Sequence, residues 1–390
     1  MKTRSATSRL LTIIASLGSL VTASCNKDVP EPVPNTFPVP TGTSIGGLLA
    51  NDTGLSLMRA AVVRAGLMTQ LQDNSRTFTL FAPDNAAFAA SGIRTVADIE
   101  AMPMSTLVPL VQYHLSPQKL TSSMIPRDKV SYPYPSTLNP SSATSPLSRS
   151  FLYPSRKNGA WVNNAPVKSF DMESANGVIH RLGGVLEPPL RTLWDRIGTD
   201  PEMIYLRGTI LKADSGLAST DSRSLVYLLS NTASDLTFFV PQDRTFVTFY
   251  SILFRDKLIS LGYPVDEAIF QAAAWALNPS FFNGNWLYYF ISAKSLRELV
   301  LYHLLAGRFF QNNFSIVGDS YETLLRGESN THHGLLYITA DFWAGQSVLP
   351  TVKIRRSSSS YPVNVGSYWP ANEHFINGVI HTVSSVIVPL

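Results

Sequence analysis

The chain has 390 residues, 45% hydrophobic and only 15% charged, with a formal net charge of +4. Its length points to about two domains of ~150 residues, and its apolar content is enough for substantial cores. Residues 1–24 hold Lys2, Arg4 and Arg9 and no acid, so +1 of that +4 remains for the rest, which leaves no basic footprint for nucleic acid.

The amino terminus has the features of a targeting segment. Lys2, Arg4 and Arg9 precede an apolar run from Leu10 to Val21, and Thr22-Ala23-Ser24 follow as small residues before Cys25. The apolar run is too short to span a bilayer, which takes ~20 residues. Cys25 is the single cysteine of the chain, so no disulfide framework exists. The segment resembles a bacterial lipoprotein box with Cys25 as lipid acceptor, which implies a signal peptide over 1–24. Residues 25–43 then read as a tether: Pro30, Pro32, Pro34, Pro38 and Pro40 favour extended polyproline backbone, ~3.1 Å per residue.

Beyond the tether, Leu48, Leu55, Met58, Val62 and Leu67 recur at near-helical spacing. Thr77–Phe81 is a short β-rich run stopped by Pro83, after which Asp84 is placed to cap a helical turn. Leu107–Leu115 predicts a helix ended by Pro117. Residues 121–150, rich in Ser and Pro, predict a long surface loop. Trp161–His180 predicts strands around an Asn-Gly turn at 176–177.

In the second half, Thr199-Asp200-Pro201-Glu202 is a helix start, a cap followed by Pro at the first position. Residues 249–290 carry twelve aromatics in 42 residues, including Trp275, Phe281, Phe282 and Trp286. Added helices packed on the domain are the first reading of this stretch. An exposed surface that stacks on sugar rings or a partner is the alternative. Arg355-Arg356 with the four serines after them predict a loop.

Three patterns occur twice, in the same order. Thr79-Leu80-Phe81-Ala82-Pro83 returns as Thr237-Phe238-Phe239-Val240-Pro241. Leu110–Leu115, with Tyr113-His114, returns as Leu299–Leu304, with Tyr302-His303. Asn176-Gly177-Val178-Ile179-His180 returns unchanged as Asn377–His381. The offsets grow from 158 to 189 to 201 residues, so a domain has been duplicated and the second copy carries insertions. The period is far beyond that of a solenoid. These motifs together resemble the fasciclin domain family. The resemblance implies an α+β fold, two tandem domains each made of a twisted β-wedge packed by several helices, over residues 44–190 and 191–390. The second domain carries the aromatic insertion at about 249–290. It also implies adhesion or matrix binding without catalysis. Gln242 stands where the first copy has Asp84, so the local turn there is expected to differ.

The candidate binding residues are Tyr113, His114, Tyr302, His303, Trp275 and Trp286. Leu107, Leu110, Val111 and His114 share one helical face, as do Leu296, Leu299, Val300 and His303. Both histidines are therefore expected inside, at a helix C-terminus, while Tyr113 and Tyr302 turn away from that face towards a ligand. His180 and His381 are expected buried, and Gly177 and Gly378 are expected to supply positive φ. No metal site or cofactor is expected: there is no His-Glu-x-x-His, no thiolate set and no Asp-rich calcium loop, and His332-His333 suits a solvated loop. Gly42-Thr43-Ser44-Ile45-Gly46 matches a nucleophile elbow by letter, but the Pro-rich tether stands where that elbow needs a strand. The expected protein is not an enzyme. It is an outer-membrane lipoprotein on the cell-surface or periplasmic face, held by the lipid on Cys25 and binding a protein or polysaccharide. The alternative is an accessory glycan-capture lipoprotein beside an outer-membrane transporter.

Overall fold

The computed structural model describes residues 40–127, 132–138, 150–325, 334–341, 351–356, 362–365 and 371–389. The targeting segment, Cys25, the tether up to residue 39, His332-His333 and the serine run at 357–360 lie outside the described residues.

The first half opens with short helices set by their caps. Ser44 Oγ accepts from the Gly47 amide (3.1 Å) to start α1 (Ile45–Asn51). A 3-10 turn capped by Asp52 leads into α2 (Ser56–Arg64), then α3 (Met68–Gln72). Ile45, Leu49, Leu57, Met58, Ala61, Val62 and Leu71 turn inward onto β1 (Phe78–Pro83), every residue of which is buried. Asp84 caps α4 (Asn85–Ala90) through the Ala87 amide (2.8 Å). A Thr95/Asp98 capping box starts α5 (Val96–Ala101). Helix α6 (Met104–Tyr113) follows Pro103, contains Pro109, and ends two residues before the predicted Leu115. After β2 (Leu115–Ser116) come β3 (Tyr134–Pro135) and β4 (Phe151–Leu152), a two-stranded ribbon. Then follow β5 (Pro154–Ser155), β6 (Trp161–Val162), β7 (Ala165–Ser174) and β8 (Gly177–Leu182). The region predicted as a surface loop is only partly one: Ile125, Ser136, Leu138 and Ser150 are buried, because the ribbon lies over α6.

The second half repeats the plan with longer parts. A Thr192/Asp195 capping box starts α7 (Leu193–Thr199). Asp200 and Pro201 begin a 3-10 turn that leads into α8 (Ile204–Ala213). Next are α9 (Leu225–Ser230) and the fully buried β9 (Leu236–Pro241). Gln242 makes no side-chain cap. Asp243 accepts the Ile204 and Tyr205 amides (3.1 and 3.0 Å), as Asn85 accepts that of Leu57 (3.1 Å), and the backbone at Gln242 (φ −79°, ψ 162°) follows that at Asp84 (φ −77°, ψ 171°), so the cap is lost but the turn is kept, which corrects the expectation. The inserted residues form a longer α10 (Asp243–Ser260), α11 (Val265–Ala276) and two 3-10 turns, Pro279–Phe282 and Trp286–Tyr289. Helix α12 (Ala293–Tyr302) leads to β10 (Leu304–Ala306). The remaining strands are β11 (Asp319–Glu322), β12 (Leu335–Asp341), β13 (Thr351–Arg355), β14 (Val363–Val365), β15 (Ala371–Phe375) and β16 (Gly378–Val383).

Among the described residues the first sheet runs β2-β1-β8-β7-β6-β5 and the second β10-β9-β16-β14-β13-β12-β11, with β15 also on β16. Each has one parallel pair at its heart: β1 with β8, Phe78 opposite Gly177, and β9 with β16, Leu236 opposite Gly378. The register is the same in both halves. The two glycines hold it by close approach. A Cβ on Gly177 would collide with the Phe78 carbonyl, and one on Gly378 with the Leu236 carbonyl. Gly177 has φ +147°, but Gly378 does not have positive φ, so the expectation of a shared turn conformation is corrected. What the two positions share is the passage of a neighbouring strand's carbonyl.

In the insertion the aromatics mostly pack inward. Tyr250 is ringed by Phe249, Phe281 and Phe282 at centroid distances of 5.1, 4.9 and 5.6 Å, and its hydroxyl meets Thr209 Oγ1 at 2.8 Å. Gly208 on α8 admits the Phe282 ring, which lies 2.6 Å from where a Cβ would stand.

Replacing Gly378 by Ala is expected to cost roughly 2–4 kcal/mol, since backbone must move to admit the Cβ. Gly198→Ala, on α7 with nothing within 4 Å, should be neutral or stabilising by up to ~1 kcal/mol. Urea unfolding of the two variants checks this, and equal stabilities would contradict it.

Candidate functional site

The polar residues of the repeated motifs all do the same work twice. Thr79 Oγ1 donates to the Gln118 carbonyl (2.7 Å) and accepts from the Leu120 amide (2.8 Å). Thr237 does this with Gly307 and Phe309, at 2.8 Å each. Asn176 accepts from the Ile45 amide (2.7 Å) and donates to the Leu71 and Asp73 carbonyls. Asn377 accepts from the Leu193 amide (2.9 Å) and donates to those of Leu229 and Asn231. His180 Nδ1 accepts from the Asp171 amide (3.1 Å) while its Nε2 donates to the Leu120 carbonyl (2.6 Å). His381 pairs with the Asn372 amide (3.2 Å) and the Phe309 carbonyl (2.7 Å). Asp171 and Asn372 both take positive φ, 59° and 63°, which turns their amides onto the imidazoles. These residues satisfy buried backbone groups that no strand partner reaches.

His114 and His303 close each half in the same manner. His114 Nδ1 donates to the Leu110 carbonyl (2.8 Å), and its Nε2 accepts from the Leu186 amide (3.0 Å). His303 does so with Leu299 (2.8 Å) and Ile387 (2.9 Å). Because an amide donates to Nε2, the ring must be the neutral Nδ1–H tautomer. Burial lowers both pKa values to about 4.

The two tyrosines are not where helical spacing put them. Tyr113 is 0% and Tyr302 1% exposed. Helix α6 is covered on two sides: Leu107 and Val111 enter one core cluster, while Tyr113 enters a second with Phe81, Leu138 and Leu152. The Tyr113 hydroxyl donates to the Phe151 carbonyl (2.8 Å), and that of Tyr302 to Leu335 (3.0 Å). Neither offers a contact surface.

Tyr113 instead lies at the junction of the halves. Its hydroxyl accepts from Asn163 Nδ2 (2.9 Å) and meets His374 Nδ1, from β15, at 3.0 Å. On its far side His374 Nε2 accepts from Arg308 Nη1. Arg308, 3% exposed, pairs with Asp235 (2.9 Å), donates to the Phe375 and Ile376 carbonyls, and lies over the Tyr153 ring at 4.7 Å. Asn158 adds bonds to the Asn312 and Phe314 carbonyls across the junction. Burial, then the Arg308 charge, hold His374 neutral, its pKa well below the usual range. Sequence reasoning missed Arg308, His374, Asn158 and Asn163, because none belongs to a repeated pattern; His374, Asn158 and Arg308 reach the other copy at Tyr113, at Asn312 and Phe314, and at Tyr153, while Asn163 bonds Tyr113 and Tyr153 within its own.

A Ser-Asp-His set does exist, but in the wrong connection for catalysis. Ser122 Oγ donates to Asp171, not to an imidazole, and the ring of His180 is fully buried with Nε2 engaged by a carbonyl. No imidazole reaches the hydroxyl. Ser44 caps α1. Among the described residues no three His, Cys, Asp or Glu side chains gather as a metal site would require, and no helix is long and apolar enough to cross a membrane.

Trp275 and Trp286 come together in the insertion, edge to face at 5.2 Å and 89°. With Ala274, Asn278, Ser280, Phe281 and Asn283 they line an open cleft of about 340 Å³. Trp286 is 39% exposed although it also packs on Phe254 and Phe290. Tyr289 (59%) and Phe270 (77%) are exposed on the same insertion.

Comparison with known proteins bears on the motif reading of the first half. The Fasciclin domain profile matches residues 53–188. Protein sll1483 of Synechocystis sp. (strain ATCC 27184 / PCC 6803 / Kazusa) is 31% identical over 143 residues, 36% of this chain and 71% of that protein. A solved FAS1 domain pair from the insect cell adhesion molecule fasciclin I aligns over 86% of this chain and 97% of that one, at 17% identity and a TM-score of 0.32.

The buried histidines make stability depend on pH. His114, His303 and His381 have folded pKa values of about 4, against 6.5 when unfolded. The unfolded chain therefore binds more protons between these values, so stability is full above pH 6.5 and is lost as pH falls towards 4. Each ring accounts for roughly 3 kcal/mol at the acid limit. Urea unfolding at pH 7.5, 5.5 and 4.5 should show a steep decline. A flat profile would contradict the assigned protonation states.

Proposed function

This chain belongs to the fasciclin domain family, and from that premise we propose that it is a membrane-tethered binding protein of the cell envelope. Its two domains, 44–190 and 191–390, present a binding surface to a protein or polysaccharide and carry out no chemistry. Fasciclin domains are adhesion and binding domains, and the placement of the motif residues in this chain agrees with such a role. The observation that carries the reading is the internal use of every motif Thr, Asn and His. With those groups turned onto backbone amides and carbonyls, contact with a partner falls to the exposed insertion and loops.

The tether follows from the amino terminus. Lipid on Cys25 anchors the chain, and the prolines after it hold the domains clear of the bilayer surface. The reading places the protein in the outer membrane, on the cell-surface or periplasmic face. A transporter partner is the narrower version of the same reading, and it requires the bound material to be a glycan.

Cys25→Ala is expected to move the protein from the membrane fraction to the soluble fraction, while the wild type needs detergent for release. Fractionation after carbonate washing, with an antibody to the folded domains, measures this. A Cys25→Ala protein that stays in the membrane pellet would rule out the lipid anchor.

A further inference from the structure

We propose that the cleft between Trp275 and Trp286 is a binding site for an uncharged carbohydrate, seating one sugar ring of a neutral glycan; this deepens the reading of the chain as an envelope binding protein and rests on it. Three observations point to that class of ligand. The first is the lining. It consists of two indoles, a phenyl ring, an alanine, two primary amides and one hydroxyl, with no charged side chain among them. The Lys212 ammonium, which reaches the nearby Gly284 carbonyl and lies over the Tyr288 ring, is not a lining group. An acidic or sulphated glycan, a phosphate or a metal would find no counter-charge there. A pyranose suits it, having an apolar C–H face for an aromatic ring and a rim of hydroxyls for amides.

The second observation is the state of Trp286. It packs against Trp275, Phe254, Phe281 and Phe290, at centroid distances from 4.7 to 6.3 Å, yet keeps 39% of its surface in water. A ring held from behind and open in front is preorganised for stacking, so little side-chain freedom is lost on binding. The third is the placement of the polar groups. Asn278, Ser280 and Asn283 come from one 3-10 turn and its two flanks, and all three are exposed. Asn278 Oδ1 is fixed by capping the Ser280 amide at 3.0 Å. At about 340 Å³ the cleft lies at the small end of ligand cavities, which run roughly 300–1,000 Å³, and this favours a single ring over a lipid chain or a folded peptide.

The test is calorimetric titration of the full-length protein in detergent with neutral glucan, mannan and galactan hexasaccharides. A hexuronate oligosaccharide and a sulphated disaccharide serve as charged controls. The wild type should bind at least one neutral probe saturably and neither control. Trp286→Ala and Asn283→Ala should each weaken binding at least about ten-fold. Asn283→Ala alters an exposed turn and should melt with the wild type, so its loss of binding is not a loss of folding. The assignment is overturned if no neutral probe binds, if the charged controls bind as well, or if both variants bind like the wild type. Adhesion of wild-type protein to protein-coated surfaces, scored in parallel, separates the two readings. Adhesion without sugar binding removes the cleft assignment and leaves the broader function standing, whereas absence of both removes both.

Discussion

The fold depends on buried side chains that bond to backbone. Each half is organised around one parallel strand pair, β1–β8 or β9–β16, and a parallel pair cannot be joined by a tight turn. Its two strands are about a hundred residues or more apart in sequence, and the intervening chain returns by irregular segments. Those segments leave amides and carbonyls in the interior that neither helix nor sheet satisfies, each worth roughly 1–3 kcal/mol if left unmade. Thr79, His114, Asn176 and His180, with Thr237, His303, Asn377 and His381, supply the missing partners. The same four bonding patterns in two copies whose overall sequences have diverged point to a geometric need rather than to a shared ligand.

That arrangement has consequences for function. Groups that could bind or react are neutral, buried and doubly bonded, and the junction of the halves absorbs a further set. The chain Asp235–Arg308–His374–Tyr113 uses a cation, an imidazole and a phenol whose donors and acceptors are matched. Arg308 donates to His374 Nε2, which leaves Nδ1–H to donate to the Tyr113 hydroxyl, which in turn donates to Phe151. A buried network of this kind fixes geometry when complete and is costly when broken. What remains free to differ lies outside, chiefly in the insertion. There, aromatic pairs worth roughly 0.5–1.5 kcal/mol each beyond their burial secure α10, α11 and the two 3-10 turns to α8. This gives a rigid mount for the exposed Trp286, Tyr289 and Phe270.

Much of this was legible in the sequence. Repetition located the equivalent strands and helices, helical spacing placed His114 and His303 inside, and strand alternation did so for His180 and His381. The substitution of Gln242 for Asp84 marked the loss of a side-chain cap, although the turn itself is kept. Spacing failed at Tyr113 and Tyr302, because a helix with one evident apolar face can still be covered on another by a distant ribbon, here β3–β4 over α6. It failed at Gly378, where the need for glycine comes from the Leu236 carbonyl, more than a hundred residues away in the chain. The Arg308–His374 pair was invisible because both residues lie outside the repeated motifs of the second copy, and their contacts with Tyr113 and Tyr153 of the first form only on folding.

The most direct measurement is histidine-selective ¹⁵N NMR across a pH series on the folded protein. The account predicts His114 and His303 as Nδ1–H tautomers and His381 as the Nε2–H tautomer at neutral pH, each keeping its shifts to below pH 5. Averaged nitrogen shifts at His114 or His303 that titrate near 6.5 would mean a solvated ring, and would contradict the claim that the repeated motifs exist to close the fold.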